Sequence, residues 1–284
     1  MSKIILTADS TCDLTTELKE KYNVRAYTPL HIIIAKKSYD DGVNITPQEI
    51  YKQFDATGTL PKTAAVNVGE YVDFFKSFVE KGDKVIHINI GSALSSSYQN
   101  ACTAAEEVGN VFPIDSCNLS TGTGHIVIEA AEMIKRGLDA KEIAENLKKL
   151  TGKVHSSFII NKLNYLRAGG RCSTLAMLGA NLLQLKPCIE VDNKDGSMTV
   201  GKKYRGKLDN VLLQYVDEKL SEYKNIRYDK IFITHAGIGE DHVQVVYNYI
   251  KNKNMFENIY VTTASCTISS HCGPGTLGIL FMTQ

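Results

Sequence analysis

The feature that most constrains this chain is a grammar repeated through its first half: a short apolar strand, a turn rich in Asp, Ser and Thr, then an amphipathic helix. The stretches KIILTADSTCDLTTELKEKY, KVIHINIGSALSSSYQNACTAAEEV and NVFPIDSCNLSTGTGHIVIEAAEMIKRG all follow it. Strands that alternate with helices pair in parallel through crossover connections, so the pattern predicts an α/β domain over residues 1–150 with a doubly wound, mostly parallel sheet. In such sheets ligands collect beyond the carboxyl ends of the strands. The three polar turns, Asp9–Asp13, Gly91–Ser97 and Asp115–Thr123, are therefore expected along one edge. The structural reading of Asp9 and Asp115 is that each caps a helix.

Between the first two units, His31–Ala35 reads as a strand, Asp40–Gly42 as a turn, and Thr46–Pro47 as a helix start with Glu49 in the capping-box position. TLPKTAAVN reads as a loop ahead of a helix that begins near Gly69. From about residue 151 the grammar changes. An apolar helix is expected over Leu175–Leu183, then two short strands joined by DNKDG, which is a hairpin signal, then two more strand–helix units and a terminal strand. A second α/β domain with a mixed sheet, residues 151–284, fits this order.

Charge narrows the function. Lys and Arg total 32 against 31 for Asp and Glu, with no basic block and no run of 18 apolar residues. Nucleic-acid binding and membrane spanning both lose their usual footprints. MSKIILTADS reads as a strand and not as a signal peptide, so a cytoplasmic location is expected. Seven scattered cysteines without a C-x-x-C pair fit reduced, buried thiols.

The familiar chemistries find little support. GPGTLG (Gly273–Gly278) matches G-x-G-x-x-G formally but precedes a terminal strand instead of a helix, and there is no Walker A sequence, so no cofactor is expected. The seven histidines lack metal-ligand spacing, so no metal is expected either. G-x-S-x-G is missing, yet a serine hydrolase acting on a lipid ester through Ser92 and His271 stays open as the alternative.

The stretch VIHINIGSALSSSYQNA carries more serines than a turn needs. Ser92 or Ser95 can cap the following helix, because a hydroxyl there accepts one of the N–H groups that a first turn leaves unpaired. The same hydroxyls, at a positive helix end, can instead seat an anion. Two further turns look built to aim a side chain: Gly169–Gly170 ahead of Arg171, and the segment around Pro274 after His271. The structural alternatives are an inter-domain ion pair for Arg171 and bracing of the terminal strand for His271.

The motifs ADSTCDL, DDG, LPKT, GSALSSSYQNA, IDSCNLSTGTG, LNYLRAGGR, LKP, KKYRG and HCGPGTLGILF occur in an order that resembles the DegV family of bacterial fatty-acid-binding proteins, over essentially the whole chain. The resemblance implies two α/β domains with a long-chain fatty acid between them. It also implies a carrier and not a self-sufficient enzyme: the acyl carboxylate is presented to a separate fatty acid kinase, whose acyl phosphate feeds phospholipid synthesis. Contact with a membrane would then be transient, for lipid exchange. Carried onto this chain, the carboxylate-binding threonine matches Thr63 and the serine of the strand-to-helix turn matches Ser92, with Ser95 nearby. The family's arginine and terminal histidine match Arg171 and His271. A carboxylate only accepts hydrogen bonds, so hydroxyl donors suit it and a nearby Arg or His supports its charge. The acyl tail is expected along apolar helices such as VIEAAEMI and LAMLGANLL, whose apolar faces also fit ordinary core. The chain departs from the family pattern at TAAVN, after LPK, and at GSALSSS.

Overall fold

The structure is a computed structural model and describes residues 3–79, 82–172, 174 and 185–284. The expected helix Leu175–Leu183, and with it LAMLGANLL, lies outside the described residues.

Strands β1 (Ile4–Asp9), β2 (Ala26–Thr28), β6 (Lys84–Asn89) and β7 (Val111–Asp115) form a four-stranded sheet in the order β2-β1-β6-β7, every pairing parallel. The three polar turns follow β1, β6 and β7 and so share the carboxyl edge, as expected. Strands β3 (His31–Ile34), β4 (Lys37–Asp40) and β5 (Lys62–Ala64) make a small antiparallel sheet in the order β4-β3-β5. The capping box at α2 (Pro47–Thr57) is present: the Thr46 hydroxyl accepts the Glu49 N–H and the Glu49 carboxylate accepts the Thr46 N–H.

The second sheet is mixed and six-stranded, in the order β10-β9-β8-β13-β11-β12. Its strands are β8 (Val154–Ile159), β9 (Leu185–Val191), β10 (Met198–Arg205), β11 (Ile231–Ala236), β12 (Ile259–Thr263) and β13 (Thr276–Met282). Only β11 and β12 pair in parallel. The hairpin predicted at DNKDG joins β9 and β10.

Helix α5 (Ser120–Lys135) explains how the two sheets meet. Its Ile126, Val127, Ile128 and Ala130 pack in one core with Leu6 and Ile88 of the parallel sheet and with Val154, Phe232 and Leu280 of the mixed sheet. A helix covered on both sides needs apolar residues all round, which is what the sequence carries there. Glu129 of the same helix pairs with Arg227 (2.9 Å) and Lys230 (3.2 Å). Among the described residues no helix is long and apolar enough to cross a membrane.

Candidate functional site

A cleft with about 620 Å³ of empty space, its mouth included, opens between the two sheets. Leu30, Thr63, Ile90, Leu94, Ser95 and Leu119 line it from the first half of the chain. Arg171, Met198, Thr267, Ile268, His271 and Cys272 line it from the second. A further cavity with about 320 Å³ of empty space lies against the mixed sheet, and Leu119, Ile268 and Cys272 line both. The two spaces thus adjoin across that shared wall. Polar side chains gather in the first around Thr63, Ser95, Arg171 and His271. Burial pushes the Cys272 thiol up to about 12, so at neutral pH it is an apolar wall and not a nucleophile.

Helix α10 (Cys266–Cys272) supplies His271, and carboxylates from the first half of the chain hold its first turn. Asp13 accepts the Ser265 N–H (2.9 Å). Asp41 accepts the N–H groups of Cys266 (2.7 Å) and Thr267 (3.2 Å), while its other contact, the Ser10 hydroxyl, lies at 3.0 Å. The Ser265 hydroxyl takes the Ile268 N–H. Every early N–H of this helix is therefore spoken for. Burial lifts the Asp13 carboxyl to about 7, against the opposing hydrogen bonds from Ser120 and Ser265.

At the far end of α10, the His271 Nε2 lies 2.8 Å from Thr63 Oγ1 on β5. Burial, reinforced by the nearby Arg171 charge, lowers His271 to about 4, so the ring is neutral at pH 7. Its Nδ1 has no hydrogen-bond partner and faces Gly169, where an added Cβ would stand 2.1 Å away. A bare nitrogen lone pair there costs less than a buried N–H with no acceptor, which assigns the proton to Nε2. Nε2–H then donates to Thr63 Oγ1, leaving the threonine O–H free to donate into the cleft.

The Gly-Gly-Arg turn has a separate reason for each glycine. Gly169 gives the His271 ring room. Gly170 ends α7 (Leu163–Gly169) in the left-handed region, φ 66°, with its N–H on the Leu166 carbonyl. That reversal sends Arg171 across to the other half of the chain: Nη1 donates to the Gly169 carbonyl (2.7 Å) and Nε to the Leu94 carbonyl (3.4 Å). With His271 neutral, Arg171 is the positive charge at this end of the cleft.

The serine turn divides its labour. Ser95 lines the cleft together with Ser96, and the Ser95 hydroxyl also accepts the Ser97 N–H (3.2 Å) at the start of α4 (Ser97–Val108). Ser92 is exposed, its N–H bound to Asp115 Oδ1 (3.1 Å), and it is not among the residues lining the cleft. Thr63, Ser95, Arg171 and His271 are brought together; Ser92 is not. The Ser92–His271 pair that a hydrolase needs is likewise not assembled, since His271 spends its Nε2 on Thr63. VIEAAEMI (residues 127–134) lines neither cavity and belongs to the core between the sheets.

Asp9 and Asp115 cap no helix. Asp115 holds the N–H groups of Ser92 and Cys117, tying two polar turns together. Asp9 is fully buried and receives Thr28 Oγ1, Tyr71 OH, His87 Nε2, Asn89 Nδ2 and the Ile90 N–H. Burial alone would raise its carboxyl, but His87 and the other donors outweigh it and hold it below the usual carboxylate range. This hub anchors the end of β6, where the serine turn starts. Sequence reading missed the roles of Asp9, Asp13 and Asp41 because their partners lie up to 252 residues away. The local signals were the motif ADSTCDL, which contains Asp9 and Asp13, and DDG, which contains Asp41.

The chain matches the profile of the DegV family, described as uncharacterised proteins, over residues 3–284. It is 29% identical over 286 residues to a DegV domain-containing protein of Clostridium perfringens, with 100% of each chain covered. A DegV domain-containing protein of Staphylococcus aureus is 31% identical over 286 residues, with 99% of each covered. Among solved structures, a fatty-acid-binding DegV family protein from Thermus thermophilus superposes with a TM-score of 0.89 at 25% identity, covering 99% of this chain and 100% of the other. A stearic-acid-binding protein from Eubacterium ventriosum gives 0.85 at 26% identity, covering 100% and 98%. A full-length profile match, full-length relatives and the same two-sheet architecture lead to one conclusion: this chain belongs to the DegV family.

Proposed function

We propose that the protein binds a long-chain fatty acid, tail along the two adjoining spaces and carboxylate at the polar cluster of the first, and presents that carboxylate to a separate fatty acid kinase. One observation carries the reading: two adjoining, largely apolar spaces share Leu119, Ile268 and Cys272, and the first of them gathers hydroxyls, a neutral imidazole and an arginine. A molecule with a long apolar body and one anionic head fits such a space. Fatty-acid binding by the Thermus and Eubacterium proteins supports it.

The energetics divide accordingly. Transfer of each methylene out of water is worth about 0.8 kcal/mol, so about a dozen of them dominate affinity. The head-group contacts set orientation. In this reading Thr63 and Ser95 donate to the carboxylate, His271 orients the Thr63 hydroxyl, and Arg171 balances the charge. The chain itself breaks no bond. A carboxylate oxygen attacks the terminal phosphoryl group of ATP held by the kinase, the bond from that phosphorus to its bridging oxygen breaks, ADP leaves and an acyl phosphate forms, while fixed donors steady the charge that develops.

The test is direct. The purified protein is denatured, extracted with organic solvent, and the extract examined by mass spectrometry. A long-chain fatty acid at near-stoichiometric amount is expected. None, even after incubation with long-chain acids, overturns the proposal.

A further inference from the structure

One hydroxyl in the outer cleft is unspent. Thr267 is 4% exposed and lines the cleft, and its Oγ1 has no hydrogen-bond partner. Its neighbours on α10 differ. Ser269 Oγ donates to the Ala264 carbonyl (3.2 Å) and Ser270 Oγ to the Cys266 carbonyl (2.7 Å), the ordinary local use of such groups. The backbone N–H of Thr267 is already taken by Asp41. A buried hydroxyl left unpaired costs about 1–3 kcal/mol, so an apolar residue of similar shape would serve better if the cleft held only methylenes.

Position says what the partner is. Thr267 and His271 are four residues apart on one helix, hence on the same face and about 6 Å apart along the axis. Thr267 lines the cleft that holds Thr63, Ser95, Arg171 and His271 but not the adjoining cavity, so with the carboxylate at that polar cluster it stands beside the first few carbons of the chain and away from the tail's end. An unsubstituted acyl chain offers it nothing to bond there. Resting on the carrier reading above, we infer that the cleft selects a fatty acid oxygenated near its carboxyl end, a 3-hydroxy acid in the simplest case, with Thr267 as the residue that reads the added hydroxyl. Because the hydroxyl sits on a stereocentre and Thr267 on one wall, one enantiomer is preferred.

Calorimetric titration tests this with hexadecanoate and the two enantiomers of 3-hydroxyhexadecanoate, on the wild type and on Thr267→Val and Thr267→Ser. One enantiomer should bind the wild type about ten-fold more tightly than hexadecanoate, the size of one good buried hydrogen bond. Thr267→Ser should keep that preference, whereas Thr267→Val should lose it and still bind hexadecanoate. If hexadecanoate binds but neither enantiomer is preferred, or if the preference survives in Thr267→Val, this inference fails and the carrier reading stands. If none of the three acids binds the wild type, both fail.

Discussion

Thr63 and His271 are 208 positions apart and meet at 2.8 Å, and this contact decides how the outer cleft can treat an anion. A neutral imidazole behind a threonine gives a pre-aimed O–H donor with no added charge, and Arg171 brings a positive charge to the cleft. Thr63→Val should weaken fatty-acid binding by roughly 1.5–3 kcal/mol, the range for hydrogen bonds to charged groups, while Ser92→Ala leaves it nearly unchanged. Isothermal titration of both variants separates the two serine-turn readings; equal losses would return Ser92 to the site. Arg171→Ala and His271→Ala should still purify with lipid, since the tail supplies most of the affinity, yet form acyl phosphate much more slowly with a partner kinase and ATP. Wild-type rates in both would leave them purely structural.

The buried carboxylate Asp9 joins β1, β2, α3 (Val68–Val79) and β6 through five donors. Asp9→Asn keeps the shape but turns an NH2 toward donors, leaving buried groups unpaired. It should lower stability by about 3 kcal/mol or more in urea unfolding, and a loss below about 1 kcal/mol would refute the hub's role. The strand–turn–helix grammar, the capping box at Thr46 and the β9–β10 hairpin were legible because each is written in neighbouring residues. The strand Lys62–Ala64 was not: three residues carry no alternation, and only pairing with β3 defines it. Arg171 and His271 stood out through their glycines. The hydrogen bond that unites His271 with Thr63, and the carboxylates that hold α10, depend on contacts across the chain and left no periodic trace.

The two halves are joined by α5 between the sheets, by His271 on Thr63, by Arg171 on the Leu94 carbonyl, and by Asp13 and Asp41 on α10, among other contacts. Asp13 gives this joint a pH signature. Its folded-state carboxyl, lifted to about 7, binds a proton more tightly than the unfolded carboxyl near its usual value of about 4. The contribution is therefore present at low pH and is lost as pH rises from about 4 through 7. Asp13→Asn should remove that slope, so the wild-type advantage over the variant shrinks with rising pH in thermal unfolding; a difference that grows instead would contradict the assignment. A crystal structure with hexadecanoate tests most directly whether a fatty acid lies between the halves with its head at Thr63. A carboxylate oxygen within hydrogen-bond distance of Thr63 Oγ1 is expected, with the tail passing Leu119, Ile268 and Cys272 into the adjoining cavity. A lipid bound elsewhere, or one with its carboxylate in that adjoining cavity, would overturn the proposal.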